Sequence, residues 1–290
     1  MTSLQRYTCK ATLVGLCLAA ASGAYAQVSS INSVIISHVF NDIPGATPSS
    51  FNSYPGNVTL NESGVSRPAS GGANRDVWYF SNNGGVSAYQ FQNNNYFNAS
   101  FNITLAGNGN PASVGLEAGW LFSNGSGSFG GDLQSLVTGA GVVVQFGGPS
   151  YYPFSPAAGG YPPAAGSSPP GGVPNYTEGQ TYAMGLNYIL DPNTGRNAFE
   201  YSVNGVFALS PTGDPDPHTR YFDLGAGVGV GSNPLGGYFQ IGNDPSHANN
   251  NGTATFSAIT ITSVPEPSTF ALLSMGIVAV GAVVSRRRRI

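Results

Sequence analysis

Between residues 31 and 262 apolar side chains return at every second position, and no stretch carries the 3.6-residue recurrence of an amphipathic helix. Within 96–105, Phe97, Ala99, Phe101, Ile103 and Leu105 fall on one side, with Asn98, Ser100, Asn102 and Thr104 on the other. Val114, Leu116, Ala118, Trp120 and Phe122 repeat the pattern, as do Tyr182, Met184, Leu186 and Tyr188, and then Phe199, Tyr201 and Val203. A strand turns successive side chains to opposite faces, so these segments read as half-buried strands of antiparallel sheets. Residues 34–40, 77–80, 141–146, 237–242 and 253–262 are further strand candidates. The turns between them are supplied by 41 glycines and 21 prolines, a composition that disfavours helix. Asn204-Gly205 between two apolar runs predicts a type I′ hairpin, and residues 191–195 predict the turn that closes the preceding strand pair. Ten or so strands without a fixed repeat predict an all-β fold, a two-sheet antiparallel jelly-roll-like sandwich.

Charge narrows the partners. Only 8% of residues are charged, and the region between the two ends holds no lysine. There Arg67, Arg75, Arg196 and Arg220 face twelve acidic residues, a net charge of −8. No basic patch can form, which excludes nucleic acid and anionic membrane surfaces; divalent cations and neutral sugars fit better. Both cysteines, Cys9 and Cys17, precede residue 27. The ectodomain therefore has neither disulfide nor thiol, and cysteine catalysis and cysteine-ligated metals are excluded for it.

The ends read as addresses. Residues 1–26 are expected to be a secretory signal peptide: Arg6 and Lys10 are followed by an apolar stretch at 11–21, then Ala24-Tyr25-Ala26 before Gln27. Signal peptidase would cut after Ala26. About eleven apolar residues are too few to span a bilayer, and Leu16 before Cys17 argues against a lipoprotein. Residues 27–262 form the expected β-sandwich ectodomain and 263–290 the tail. In that tail Val264-Pro265-Glu266-Pro267 precedes an apolar run at 268–285, then Arg286, Arg287, Arg288 and Arg289. As a helix the run reaches about 27 Å, enough for a transmembrane helix. The arginines hold its far end in the cytoplasm, so the ectodomain faces outward from the inner membrane.

Pro-Glu-Pro, a short span and a terminal arginine cluster, in that order, resemble the PEP-CTERM sorting signal. The resemblance implies an exosortase, a membrane enzyme with a cysteine nucleophile, cutting near Pro265-Glu266-Pro267. It also implies a place at the cell surface or in the extracellular biofilm matrix, beside exopolysaccharide. The two prolines keep the cleavage segment extended and accessible. Residues 176–207, with the aromatic-x-Val-Asn-Gly hairpin at Tyr201 to Gly205, and the strand at 254–261 resemble the concanavalin-A-like lectin/glucanase superfamily, which implies the same sandwich.

Candidate chemistry is sparse. A glycoside hydrolase uses two carboxylates about 5–5.5 or 6.5–9.5 Å apart. Glu117 and Glu200 are the candidates, since both sit in strands opposite the apolar set, but the Glu-x-Asp-x-Glu strand of laminarinase-type enzymes is absent. Residues 147–175 form a Pro/Gly-rich loop in which Tyr151, Tyr152 and Tyr161, with Tyr176 beside it, could stack on sugar rings. Asp191, Asn193, Asp214 and Asp216 could donate calcium oxygens, though turn formation accounts for the same residues. His38, His218 and His247 are isolated, so no zinc site is expected. The glycine run at 225–231 lacks the lysine and helix of a phosphate loop.

The sequence thus predicts an exported, non-enzymatic surface or matrix protein associated with exopolysaccharide, with no cofactor unless calcium binds. A hydrolase using Glu117 and Glu200 is the alternative, and a purely structural matrix protein the second.

Overall fold

The period-two segments become strands in the computed structural model, which describes residues 30–43, 45–65, 72–93, 95–108, 116–122, 132–137, 141–144, 178–210, 214–224, 226, 229–243 and 250–264. In chain order the strands are β1 (Ser33–Asn41), β2 (Thr47–Asn52), β3 (Asn57–Val65), β4 (Gly72–Ser81), β5 (Gln90–Phe91), β6 (Phe97–Asn108), β7 (Leu116–Phe122) and β8 (Asp132–Val137). They continue as β9 (Gly141–Val144), β10 (Thr181–Leu190), β11 (Asn197–Val203), β12 (Val206–Phe207), β13 (Phe222–Asp223), β14 (Asn233–Asn243) and β15 (Asn250–Ser263). One sheet runs β1-β4-β14-β7-β8-β9 with β5 on β14, and the other β12-β11-β10-β6-β15-β3-β2 with β13 on β11. All pairings are antiparallel. The expected two-sheet antiparallel sandwich is what forms. Among the described residues no helix is long and apolar enough to cross a membrane; the expected span at 268–285 lies outside them.

The inward half of each alternation builds one core between the sheets, with Phe97, Phe101, Ile103 and Leu105 from β6 and Leu116, Ala118, Trp120 and Phe122 from β7. Trp78 of β4 is its hub, edge-on to Phe256 of β15 at 5.5 Å and to Phe80 at 5.2 Å. Gly237 of β14 makes room for the indole, since a Cβ there would lie 2.5 Å from Trp78 Nε1. The hairpin between β11 and β12 turns at Asn204 (φ 49°) and Gly205 (φ 79°), the two positive values a type I′ turn requires.

Strands β2 and β3 were not foreseen. β2 reads Thr-Pro-Ser-Ser-Phe-Asn and lies at a sheet edge with hardly any side chain covered, so it has no apolar face to reveal it. β3 buries Val58 and Leu60 but then Glu62 at the next inward position, which breaks the alternation.

Candidate functional site

The outward half of the alternation on the eight-stranded sheet forms an extended polar face. Register aligns its side chains in rows that cross the strands. Thr59 of β3 lies opposite Thr255 of β15, Thr255 opposite Thr104 of β6, and Thr104 opposite Thr181 of β10. Phe51 of the edge strand β2 sits opposite Thr59 and extends the row. With strands about 4.8 Å apart, the five residues from Phe51 to Thr181 cover roughly 19 Å. Flanking rows read Ser49, Asn61 and Thr253 on one side, and Asn57, Ser257 and Asn102 on the other.

Hydroxyls and amides tie the rows together. Thr104 and Thr181 hydroxyls lie 2.7 Å apart, as do those of Ser100 and Thr260. Thr253 donates to Asn61 Oδ1 at 2.6 Å, and Asn61 Nδ2 donates to Ser49 Oγ at 3.0 Å. Phe51 is 59% exposed, a large apolar side chain standing beside hydroxyls rather than in the core. At the outward positions of β2, β3, β15, β6 and β10 that are described, no side chain is charged. Charge enters beyond these strands, at Asp223 of β13 and at β11, where Glu200 pairs with Arg220 (Oε1 to Nε, 2.6 Å) and accepts from Asn187 Nδ2 at 2.8 Å. Arg220 in turn lies over the Phe207 ring, 5.1 Å from its centroid.

The two glutamates expected to pair do not meet. Glu200 points out from the eight-stranded sheet, between Phe199 and Tyr201, which enter the core. Glu117 points out from the seven-stranded sheet, between the inward Leu116 and Ala118, so the whole sandwich separates the two carboxylates. No glycosidic bond can lie between them. Glu117 is nearly fully buried and accepts from the Tyr238 hydroxyl, which also sits 2.5 Å from Ser135 Oγ. The Arg75 guanidinium stacks over the Tyr238 ring at 4.6 Å and donates to Gln240 Oε1 at 2.8 Å. Glu117 therefore belongs to a packed network above a second apolar cluster of Val77, Tyr79, Leu121 and Tyr238.

The four calcium candidates do come together, at the turns beside β10, β11 and β13. Their oxygens are engaged by the chain's own donors. Asp191 accepts from Asn193 N and Thr194 Oγ1, each at 2.8 Å, and Asp214 accepts from Asp216 N at 2.9 Å and Asp223 N at 3.2 Å. Asn193 Nδ2 donates to Asp216 Oδ2 at 2.8 Å. Asp223, which the sequence did not single out, completes the group: Thr194 Oγ1 donates to its Oδ2 at 3.0 Å, and Arg196 lies 3.8 Å away. Burial first, then the nearby Asp191 and Asp214 charges, push the Asp223 carboxyl up to about 6. Burial also raises Asp214.

Tyr151, Tyr152, Tyr161 and Tyr176, the cleavage residues Ala24, Ala26 and Gln27, and Pro265, Glu266, Pro267 and Arg286 to Arg289 lie outside the described residues. Val264 is the last one described, its backbone N–H donating to Tyr96 O at 2.9 Å. Among the residues missed by sequence, the threonine row has no local signal, because its members come from strands far apart in the chain.

Solved structures similar in architecture are concanavalin-A-like lectins and glucanases. An alginate lyase of polysaccharide lyase family 7 is 10% identical, with 73% of this chain and 81% of that one covered and a TM-score of 0.42. An endo-1,3-beta-glucanase from Streptomyces sioyaensis is 13% identical over 80% of this chain and 97% of the other, with a TM-score of 0.40. Peanut lectin is 10% identical over 80% and 100%, with a TM-score of 0.35. No residue role passes from them to this chain. No curated protein matches it in sequence. Residues 263–289 match the PEP-CTERM protein-sorting motif, which indicates export, sorting to the cell surface and processing by an exosortase.

Proposed function

We propose that this is a non-catalytic protein of the cell surface or extracellular matrix that holds a neutral exopolysaccharide against the outer face of its eight-stranded sheet. The observation that carries the reading is the uncharged row Phe51, Thr59, Thr255, Thr104 and Thr181, set among further Ser, Thr and Asn side chains. Hydroxyls and amides both donate and accept, as sugar hydroxyls do, and an exposed aromatic edge offers an apolar face to a sugar ring. An anionic polymer would be repelled by a region of net charge −8, so the occupant is a neutral chain. The non-catalytic part is supported by the separation of Glu117 from Glu200 on opposite sides of the sandwich.

The test is co-sedimentation of the purified full-length protein with insoluble β-1,3-glucan, cellulose, chitin and calcium alginate gel. Retention by a neutral polymer is expected, weakened tenfold or more in the double variant Thr104→Glu/Thr255→Glu, whose fold is checked by circular dichroism. Tenfold is about 1.4 kcal/mol, the scale of one or two lost hydrogen bonds plus a desolvated charge. Equal retention of the variant, or no retention on any neutral polymer, would sink the reading. Release of new reducing ends would make the protein a hydrolase instead.

A further inference from the structure

We propose a binding site for a divalent transition-metal ion between the two sheets, held by His38, Glu62 and Asp76, on the inner side of β3 opposite the threonine face. His38 of β1 and Asp76 of β4 are paired in register on the inward side of the seven-stranded sheet, and Glu62 reaches the same spot from β3 of the other sheet. One ligand atom from each lies within 4.8 Å of the others. Glu62 and Asp76 are 2% and 1% exposed, whereas the His38 side chain is 49% exposed and opens the cluster to solvent. An ion has a way in.

Two carboxylates in core-facing positions are costly unless something offsets their charge. Leu60 precedes Glu62 by one inward step and Trp78 follows Asp76 by one, and Asn74, one inward step before Asp76, is a buried polar neighbour. The chain supplies only part of the compensation. His38 Nδ1 contacts Asp76 Oδ1, but Asp76 Oδ2 is buried without a hydrogen-bond partner. Asn74 Nδ2 donates to Glu62 Oε2 at 3.2 Å, and Asn74 Oδ1 accepts from Ile43 N at 3.0 Å, which fixes the orientation of the Glu62 carboxylate. Such an outer shell is what a metal ligand needs. A dication would neutralise both carboxylates at once, replacing the contact between His38 and Asp76. One imidazole and two carboxylates suit Zn²⁺ or Mn²⁺; calcium prefers six to eight oxygens, and copper(I) wants sulfur. Donors about 2.1 Å from one tetrahedral ion stand about 3.4 Å apart, so His38 and Asp76 part to admit it while Glu62 stays within reach.

The full-length protein, stripped with chelator and purified in detergent, is titrated with ZnCl₂, MnCl₂ and CaCl₂ by calorimetry. One equivalent of Zn²⁺ or Mn²⁺ is expected with a Kd at or below the micromolar range, raising Tm and weakening at least tenfold in His38→Ala and in Glu62→Gln. His38 is half exposed, so its removal should spare the fold even if Glu62→Gln does not. A second readout is independent of variants: Co²⁺ should give visible d–d absorption bands shifted by an imidazole ligand. No transition-metal binding, binding unchanged in His38→Ala, no such Co²⁺ bands, or a preference for Ca²⁺ over Zn²⁺ and Mn²⁺ would each overturn the site.

Discussion

Replacing Asp223 with asparagine should make the protein more stable at neutral pH and less sensitive to pH. Asp223 has no exposed side-chain surface and shares Thr194 Oγ1 with Asp191. Its carboxyl takes up a proton near pH 6 in the fold, against an ordinary value of 3.8 in the unfolded chain. Between those values the native state binds more protons than the unfolded state, so stability falls as pH rises. The advantage is fully present below pH 3.8 and lost above about pH 6. A gap of about two pH units at ~1.4 kcal/mol each sets a ceiling of ~3 kcal/mol. Arg196 at 3.8 Å and solvent at the loop rim screen part of this, leaving about 1–2 kcal/mol. In Asp223→Asn the amide can donate to Asp191 where two carboxylates otherwise repel. Urea unfolding of both proteins from pH 4 to pH 8 measures the difference. Wild type should lose about 1–2 kcal/mol more than the variant across that range. Parallel curves, or a variant less stable at every pH, would refute the argument.

Two further outcomes are expected. Gly237→Ala should cost about 1–3 kcal/mol in urea unfolding, because the new methyl meets the buried Trp78 indole and the Phe256 ring, at 2.5 and 2.9 Å, with no flexible side chain to yield. In cells with an exosortase, mass spectrometry should find the chain ending near Glu266, while deleting the enzyme restores Ile290; Ile290 in both strains would mean a plain membrane anchor.

Alternation made the strands legible because it records which face is buried. The inward sets of β6, β7, β10 and β11 follow it apart from Gly107 and Asn197 at strand ends, and Asn204-Gly205 announced its turn through positive φ values few other pairs tolerate. What alternation cannot record is which sheet a strand joins. Glu117 and Glu200 were rightly read as opposite the apolar set, yet they face away from each other because β7 and β11 lie in different sheets. Motif spacing has a related blindness. It finds metal ligands that are neighbours in sequence, while His38, Glu62 and Asp76 come from three strands and are joined only by folding. Glu62 did leave a trace, since an acid at a core-facing position is why β3 escaped notice.

The outward half of the pattern has a chemistry of its own. Most soluble domains keep apart from one another by charge, but only 8% of this chain is charged. Its large sheet face is hydrated by Ser, Thr and Asn instead, which leaves little electrostatic penalty when a neutral polymer approaches. The same economy exposes a hazard, because an uncharged sheet edge invites another strand to pair with it. The edge strand β2 answers with Pro48, which has no N–H to donate. A face open to sugars and an edge closed to strands are compatible because face contacts use side chains and edge contacts use backbone. That division lets a sandwich with few charged side chains meet other molecules through its face without adding strands to itself.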